Sequence, residues 1–162
     1  MSRYALLFVL AIAIIALALF VAGQMGLLRG KSPADLGLTE GKLKRPSKTE
    51  NSVSSQAALW PDHPRLAYAQ IEPIAYSGSA AEAMKKLATE LSAMPRTSII
   101  SSQANYIYAQ CGTKLLKFTD DIEFALDEAA SVIHVRSASR LGQKDFGVNR
   151  ARVEAIRASM EK

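Results

Sequence analysis

The sequence has a single cysteine, Cys111, so no disulfide can form within the chain. That is neutral about compartment, because an exported domain need not contain a disulfide. There are two histidines, His63 and His134, with no local ligand spacing between them and other donors. A histidine-based zinc site is therefore not expected, nor is any cofactor. The chain has no Gly-x-Gly-x-x-Gly, P-loop, Gly-x-Ser-x-Gly, His-Glu-x-x-His or Cys-x-x-Cys run. These absences remove the common nucleotide, hydrolase, metalloprotease and thiol-redox signatures. Nine glycines and six prolines, against 49% hydrophobic residues, exclude collagen and bulk disorder. A chain of 162 residues supports one domain with one modest core.

What is present is unevenly spread. Hydrophobic residues fill 23 of the first 28 positions, and Tyr4 to Gly23 is twenty residues without a charge. A helix of that length spans about 30 Å, the thickness of a bilayer's hydrocarbon core. Residues 1–28 are expected to be an uncleaved transmembrane anchor, meeting the bilayer through residues 4–23. A cleaved signal peptide is the alternative, but its apolar core would usually run about 7–15 residues. The net charge of +5 is concentrated here: residues 1–50 carry +4 and residues 51–162 only +1. The excess belongs to membrane-surface electrostatics, and a nearly neutral remainder offers no footprint for nucleic acid. Arg29 and Lys31 follow the segment directly, so the positive-inside rule read literally puts the following domain in the cytoplasm.

Residues 29–58 lack periodic patterning and are expected to be a tether leading into a compact domain over 59–162. Tyr68 to Ile74 suits a short strand, with Pro73 confining it to an edge. Ser79 to Met94 has a capping box, Ser79 with Glu82, and a stripe of Met84, Leu87, Leu91 and Met94 before Pro95. It predicts an amphipathic helix. Thr97 to Ser102 and Tyr106 to Cys111 predict two strands, with Cys111 buried as a small hydrophobe. Leu116, Phe118, Asp120, Ile122, Phe124 and Leu126 alternate onto one face. A four-residue loop Asp127–Ala130 would pair Leu126 with Ser131, Phe124 with Ile133 and Ile122 with Val135. The same register sets Glu123 against His134, Asp121 against Arg136, and Asp120 on the apolar face opposite Ser137. A carboxylate there needs a bulge, hydrogen bonds or an arginine. Asn149 to Met160 predicts a final helix with a Val153, Ile156 and Met160 core stripe. The expected class is α+β, a mostly antiparallel four- to five-stranded sheet with two helices on one face.

Asp120, Asp121, Arg136, Ser137, Ser139, Arg140, Asp145, Asn149 and Arg150 form a candidate polar or anion-binding cluster. Arginines supply forked donors, serines hydroxyls, and the last helix its N-terminal N–H groups. The competing expectation is an internal network in which acids satisfy arginines and Asp145 or Asn149 caps the helix. No catalytic residue is assigned, because adjacent acids on a strand point to opposite faces.

The runs LGLTEGKL (36–43), NSVSSQA (51–57), MPRT (94–97), KFTDDIEF (117–124) and IHVRSASRLGQKDFGVNRARVEAIR (133–157) resemble the domain-of-unknown-function 1499 family. The resemblance extends from about Leu36 to Met160. It implies a membrane-anchored bacterial protein with its domain outside the cytoplasm, against the literal charge rule, and it implies no particular chemistry. The family pattern holds two cysteines where this chain has Pro46 and Ser52, so bridging or redox chemistry there is excluded. The expected function is a non-catalytic binding or assembly module at the membrane, taking an envelope protein or a small polar ligand. The alternatives are an envelope enzyme using the Arg/Asp/Ser cluster, or a lipid-handling domain. An enzyme needs a pocket with an unpaired carboxylate, and lipid handling an apolar cavity between sheet and helices.

Overall fold

The computed structural model describes residues 2–161. Its first element is α1 (Arg3–Gln24), capped by the Ser2 hydroxyl, which accepts from the Tyr4 N–H at 3.2 Å. The helix is apolar on every side, with a mean hydropathy of 3.2 over its most apolar window, and that window is unburied. Its end is nonetheless seated on the domain. The Gln24 side chain donates to the Leu115 carbonyl at 2.9 Å. Gly23 packs so closely that a Cβ would fall 2.6 Å from the Leu116 carbonyl oxygen. Only glycine fits that approach.

The sheet is antiparallel, in the order β1 (Ser52–Ser54), β6 (Val132–Ser139), β5 (Thr119–Asp127), β4 (Tyr106–Gly112), β3 (Thr97–Ser102). A two-residue strand, β2 (Ile74–Ala75), pairs with the other end of β6. The architecture is α+β, with four long strands and two short segments sharing one edge of β6. β3, at the opposite edge, has a bulge between Ile99 and Ser101 that leaves Ile100 exposed. Such a bulge discourages edge-to-edge pairing with another chain.

The β5–β6 register differs from the expected one by two residues. Leu126 opposes Ile133, Phe124 opposes Val135, Ile122 opposes Ser137 and Asp120 opposes Ser139. The loop is Glu128–Ser131, with Asp127 retained in the ladder against Val132. Two local features fix it: the Asp127 carboxylate accepts from the Ala130 N–H at 3.1 Å, and Ser131 closes the turn at φ 53°. An even slip keeps every side chain on its face while changing every partner. The expected pairs Glu123–His134 and Asp121–Arg136 are therefore both incorrect. Glu123 opposes Arg136 and Asp121 opposes Ala138.

The helices α3 (Ala80–Ala93) and α4 (Val148–Met160) cover one face. Met84, Leu87 and Leu91 of α3 and Val153 and Ile156 of α4 bury against Ile107, Ala109, Cys111, Ile122, Phe124, Ile133 and Val135. Each large side chain removed from water there contributes about 1.5–3 kcal/mol. The expected capping box of α3 is present in full. The expected strand Tyr68–Ile74 is not. Tyr68 and Ala69 end a one-turn helix, α2 (Leu66–Ala69), Gln70 makes an isolated bridge to Ser54, and only Ile74 enters β2. Arg150 of α4 donates to the Tyr68 and Gln70 carbonyls, and Arg157 to those of Glu72 and Pro73. Helix guanidiniums thus occupy backbone acceptors that a ladder would use. The stretch 29–58 contributes β1 and the fully buried Leu43. Leu36, Leu38 and Leu43 cover Tyr106, Tyr108 and Ala125 on the sheet's second face.

Candidate functional site

Strand alternation divides the expected cluster between the two faces of the sheet. On the helix side, Asp120 Oδ2 meets Arg152 Nη2 at 2.5 Å. Arg152 Nη1 donates to Ser137 Oγ at 3.0 Å and Asn149 Oδ1 at 2.7 Å. Asn149 is fully buried and sits at the centre. Its Nδ2 donates to Asp145 Oδ2 at 2.7 Å, Ser139 Oγ at 3.0 Å and the Asn51 carbonyl at 3.1 Å. Asp145 in turn caps α4, accepting from the Gly147 N–H at 3.0 Å and the Asn149 N–H at 3.1 Å. The Tyr68 hydroxyl donates to Oδ1, the oxygen that also takes the Gly147 N–H. Burial works to raise the Asp145 carboxyl. The Tyr68 hydroxyl and the N–H groups of Gly147 and Asn149 together outweigh it and hold the acid below its usual range. Burial, reinforced by that carboxylate, pushes the Tyr68 phenol up to about 12.

On the second face, Arg140 grips Asp121 with two parallel bonds, Nη2 to Oδ1 at 2.7 Å and Nε to Oδ2 at 2.8 Å. This bidentate fork is the strong form of the pair. The Tyr108 hydroxyl donates to Asp121 Oδ1 at 2.6 Å. One strand position pair along, Arg136 Nη1 meets Glu123 Oε2 at 3.1 Å. The other Glu123 oxygen accepts from the Tyr106 hydroxyl at 2.8 Å and the Gly37 N–H at 2.9 Å. Glu123 is 0% exposed. Burial and then the Glu123 charge push the Tyr106 phenol strongly upward. Chiefly because it donates to the Asp121 carboxylate, the already high Arg140 guanidinium is raised further.

Asp120, Ser137, Ser139, Asp145 and Asn149 are therefore brought together under α4, while Asp121, Arg136 and Arg140 gather on the opposite face. Arg150 joins neither group and ties α4 to the carbonyls after α2. Glu123, Arg152, Tyr106, Tyr108, Tyr68 and Asn51 complete the networks and were not anticipated. Alternation from Asp121 already placed Glu123 on its face. The i,i+3 spacing from Asn149 pointed to Arg152. Tyr68 is remote in sequence and gave no signal, and Asn51 stands in the NSVSSQA run (51–57) with no spacing that ties it to the cluster.

The histidines also find fixed places. His63 is buried; its Nε2 meets the Ser47 carbonyl at 2.9 Å and its Nδ1 accepts from the Arg65 N–H. His134 lies 3.7 Å from Asp127 and bonds Ser55 Oγ at 3.1 Å. The Ser52 and Ser47 hydroxyls meet at 2.9 Å. Among the described residues no three His, Cys, Asp or Glu side chains are grouped to hold a metal ion.

A cavity of about 300 Å³ opens at the end of the sheet beside the start of α4. Phe118, Leu141, Phe146 and Val148 form its apolar wall, and Asp120 and Asp145 reach its floor. Both acids are already engaged, one by Arg152 and the other by Tyr68 and the helix N–H groups. The family described as "Protein of unknown function (DUF1499)" matches residues 42–160. No curated protein matches the chain.

Proposed function

This chain belongs to the DUF1499 family, and on that premise we propose that it is a membrane-anchored, non-catalytic binding or assembly module. Residues 1–28 act as the anchor, and the domain that follows, which takes β1 and Leu43 from the stretch 29–58 into its sheet and core, faces away from the cytoplasm. Its partner is an envelope protein or a small polar ligand near the membrane. The observation that carries this reading is the complete pairing of Asp120, Asp121 and Glu123 with Arg152, Arg140 and Arg136. A general acid or base in a cleft needs a carboxylate free to exchange a proton with substrate. Here Asp120, Asp121 and Glu123 are each held by a guanidinium at 3.1 Å or less, and Asp145 is held by the Tyr68 hydroxyl and the first N–H groups of α4.

Melting of the full chain in detergent, with Asp120→Asn and Asp121→Asn made singly, tests the reading. Breaking a buried pair typically costs about 3–5 kcal/mol. At about 2–4 °C per kcal/mol for a chain of this size, each variant is expected to melt at least 6 °C lower. Unchanged or raised melting would mean that the acids serve chemistry at the expense of stability. The envelope-enzyme alternative would then take its place.

A further inference from the structure

We propose that the end of the domain bearing Leu115, Leu141, Phe146 and Val148 lies on the surface of the bilayer that holds α1, and that the cavity behind Phe146 takes an acyl chain of an anionic phospholipid from that bilayer. The proposal rests on the anchor reading above and adds a site and a ligand class to it.

Position is the first argument. The last turn of α1 is seated on the β4–β5 loop through Gly23 against Leu116 and Gln24 against Leu115. The chain then passes Gly30 against the Leu141 side chain, where a Cβ would meet Leu141 Cγ at 3.1 Å. The β4–β5 loop that α1 touches lends Thr113 and Phe118 to the cavity, and the loop that Gly30 meets lends it Leu141. If α1 spans a membrane, this end of the domain lies at its surface, because no length of free chain separates them.

Exposure is the second. Phe146 is 93% exposed, Leu115 65%, and Leu141 and Val148 nearly half. Phe146 holds φ 52°, an unfavourable backbone for an aromatic residue. It is kept there between the cap residue Asp145 and Gly147, which has φ 83°. A large apolar side chain presented to water on a strained loop tip, flanking an apolar cavity, is what an interfacial insertion requires.

Charge is the third. Arg29, Arg96 and Lys117 line a depression on the other side of Gly112 at this same end, and Lys114 is exposed beside them. The acids here are engaged: Asp120 by Arg152, Asp145 by Tyr68, and Glu50 by Lys144 at 3.3 Å. The free charge facing the bilayer is therefore positive, which selects anionic headgroups. Apolar wall and basic rim together match a phospholipid, chain inward and phosphate at the edge.

The test uses the full chain in phosphatidylcholine nanodiscs containing phosphatidylglycerol with a diazirine near one acyl-chain end. After photolysis, adducts are mapped by peptide mass spectrometry. Adducts are expected on α1 and also on Phe118 and the 141–148 loop. Phe146→Asp, at an exposed position that leaves the core intact, should reduce the loop adducts at least fivefold with α1 labelling unchanged. Adducts confined to α1 would overturn the lipid site while leaving the anchor standing. Failure to label α1 would overturn the anchor itself. Moving the diazirine to phosphatidylcholine should lower loop labelling severalfold, and equal labelling would overturn the anionic preference.

Discussion

Asp120 and Asp121 are adjacent in the chain, and strand geometry sends them to opposite faces of the sheet. One reaches Arg152 beneath α4, and the other is forked by Arg140 on the second face. Asp145 joins them at the residue scale as a helix cap with a depressed pKa. Its folded value lies below the ordinary 3.8, so its contribution is present above that range and lost as pH falls through the folded value. Asp145→Asn should therefore flatten the acid limb of a stability–pH curve measured by urea denaturation. Tyr68 has the opposite sign. Its phenol is raised from 10.0 to about 12, so its contribution is whole below pH 10 and lost as pH rises towards 12. Tyr68→Phe should remove that alkaline loss and also shrink the acid limb, because the hydroxyl is the largest of the contacts that hold the Asp145 carboxyl down. A Tyr68→Phe chain with the wild-type alkaline limb would contradict the hydroxyl's bond to Asp145.

At the scale of the element, the β5–β6 hairpin depends on a loop whose last residue, Ser131, holds φ 53°. Glycine adopts that conformation without steric cost, and Ser131→Val does not. Chemical denaturation should show Ser131→Val destabilised by about 1–2 kcal/mol, with Ser131→Gly within about 0.5 kcal/mol of wild type. Equal stability of the two would place the turn elsewhere. The same loop explains what was legible in the sequence. Period-two alternation fixed which face each residue of β5 and β6 takes, and that survived. Alternation is blind to a slip of two, so partners had to come from the turn. Turn composition alone did not show that Asp127 stays in the ladder to bond Ala130. The capping box and apolar stripe of α3 are local signals, and they placed that helix to within a residue at each end. β1 is three residues long and buried on both faces, so it carries no alternation, and it passed as part of a tether. Tyr68 to Ile74 failed for a tertiary reason, since its carbonyls are taken by Arg150 and Arg157 from α4. In the candidate site, residue types were legible and groupings only in part. Arg152 and Glu123 are near in spacing, whereas Tyr68 and Asn51 arrive only through the fold.

For the whole molecule, an apolar helix docked at one end of a domain sets the domain's position relative to any membrane it enters. An arginine near the centre of a span costs about 2.5–3.5 kcal/mol, less near its ends. Leu6→Arg with Ile14→Arg should move the chain from the carbonate-washed membrane pellet to the supernatant. Retention in the pellet would count against the anchor. The segment Ser32–Leu43 closes the second face of the sheet, and Arg140 links it to the strands. Its guanidinium joins Asp121, Tyr108 and the Ser32 hydroxyl. Buried charge pairs of this kind hold the domain together. The most direct measurement is a double-mutant cycle on Asp121 and Arg140, with Asp121→Ala, Arg140→Ala and the pair compared by urea denaturation of the full chain. Residues in direct contact couple by about 0.5–3 kcal/mol, and this bidentate buried pair should lie in the upper half of that range. Additive single effects, with coupling within about 0.3 kcal/mol of zero, would contradict the account.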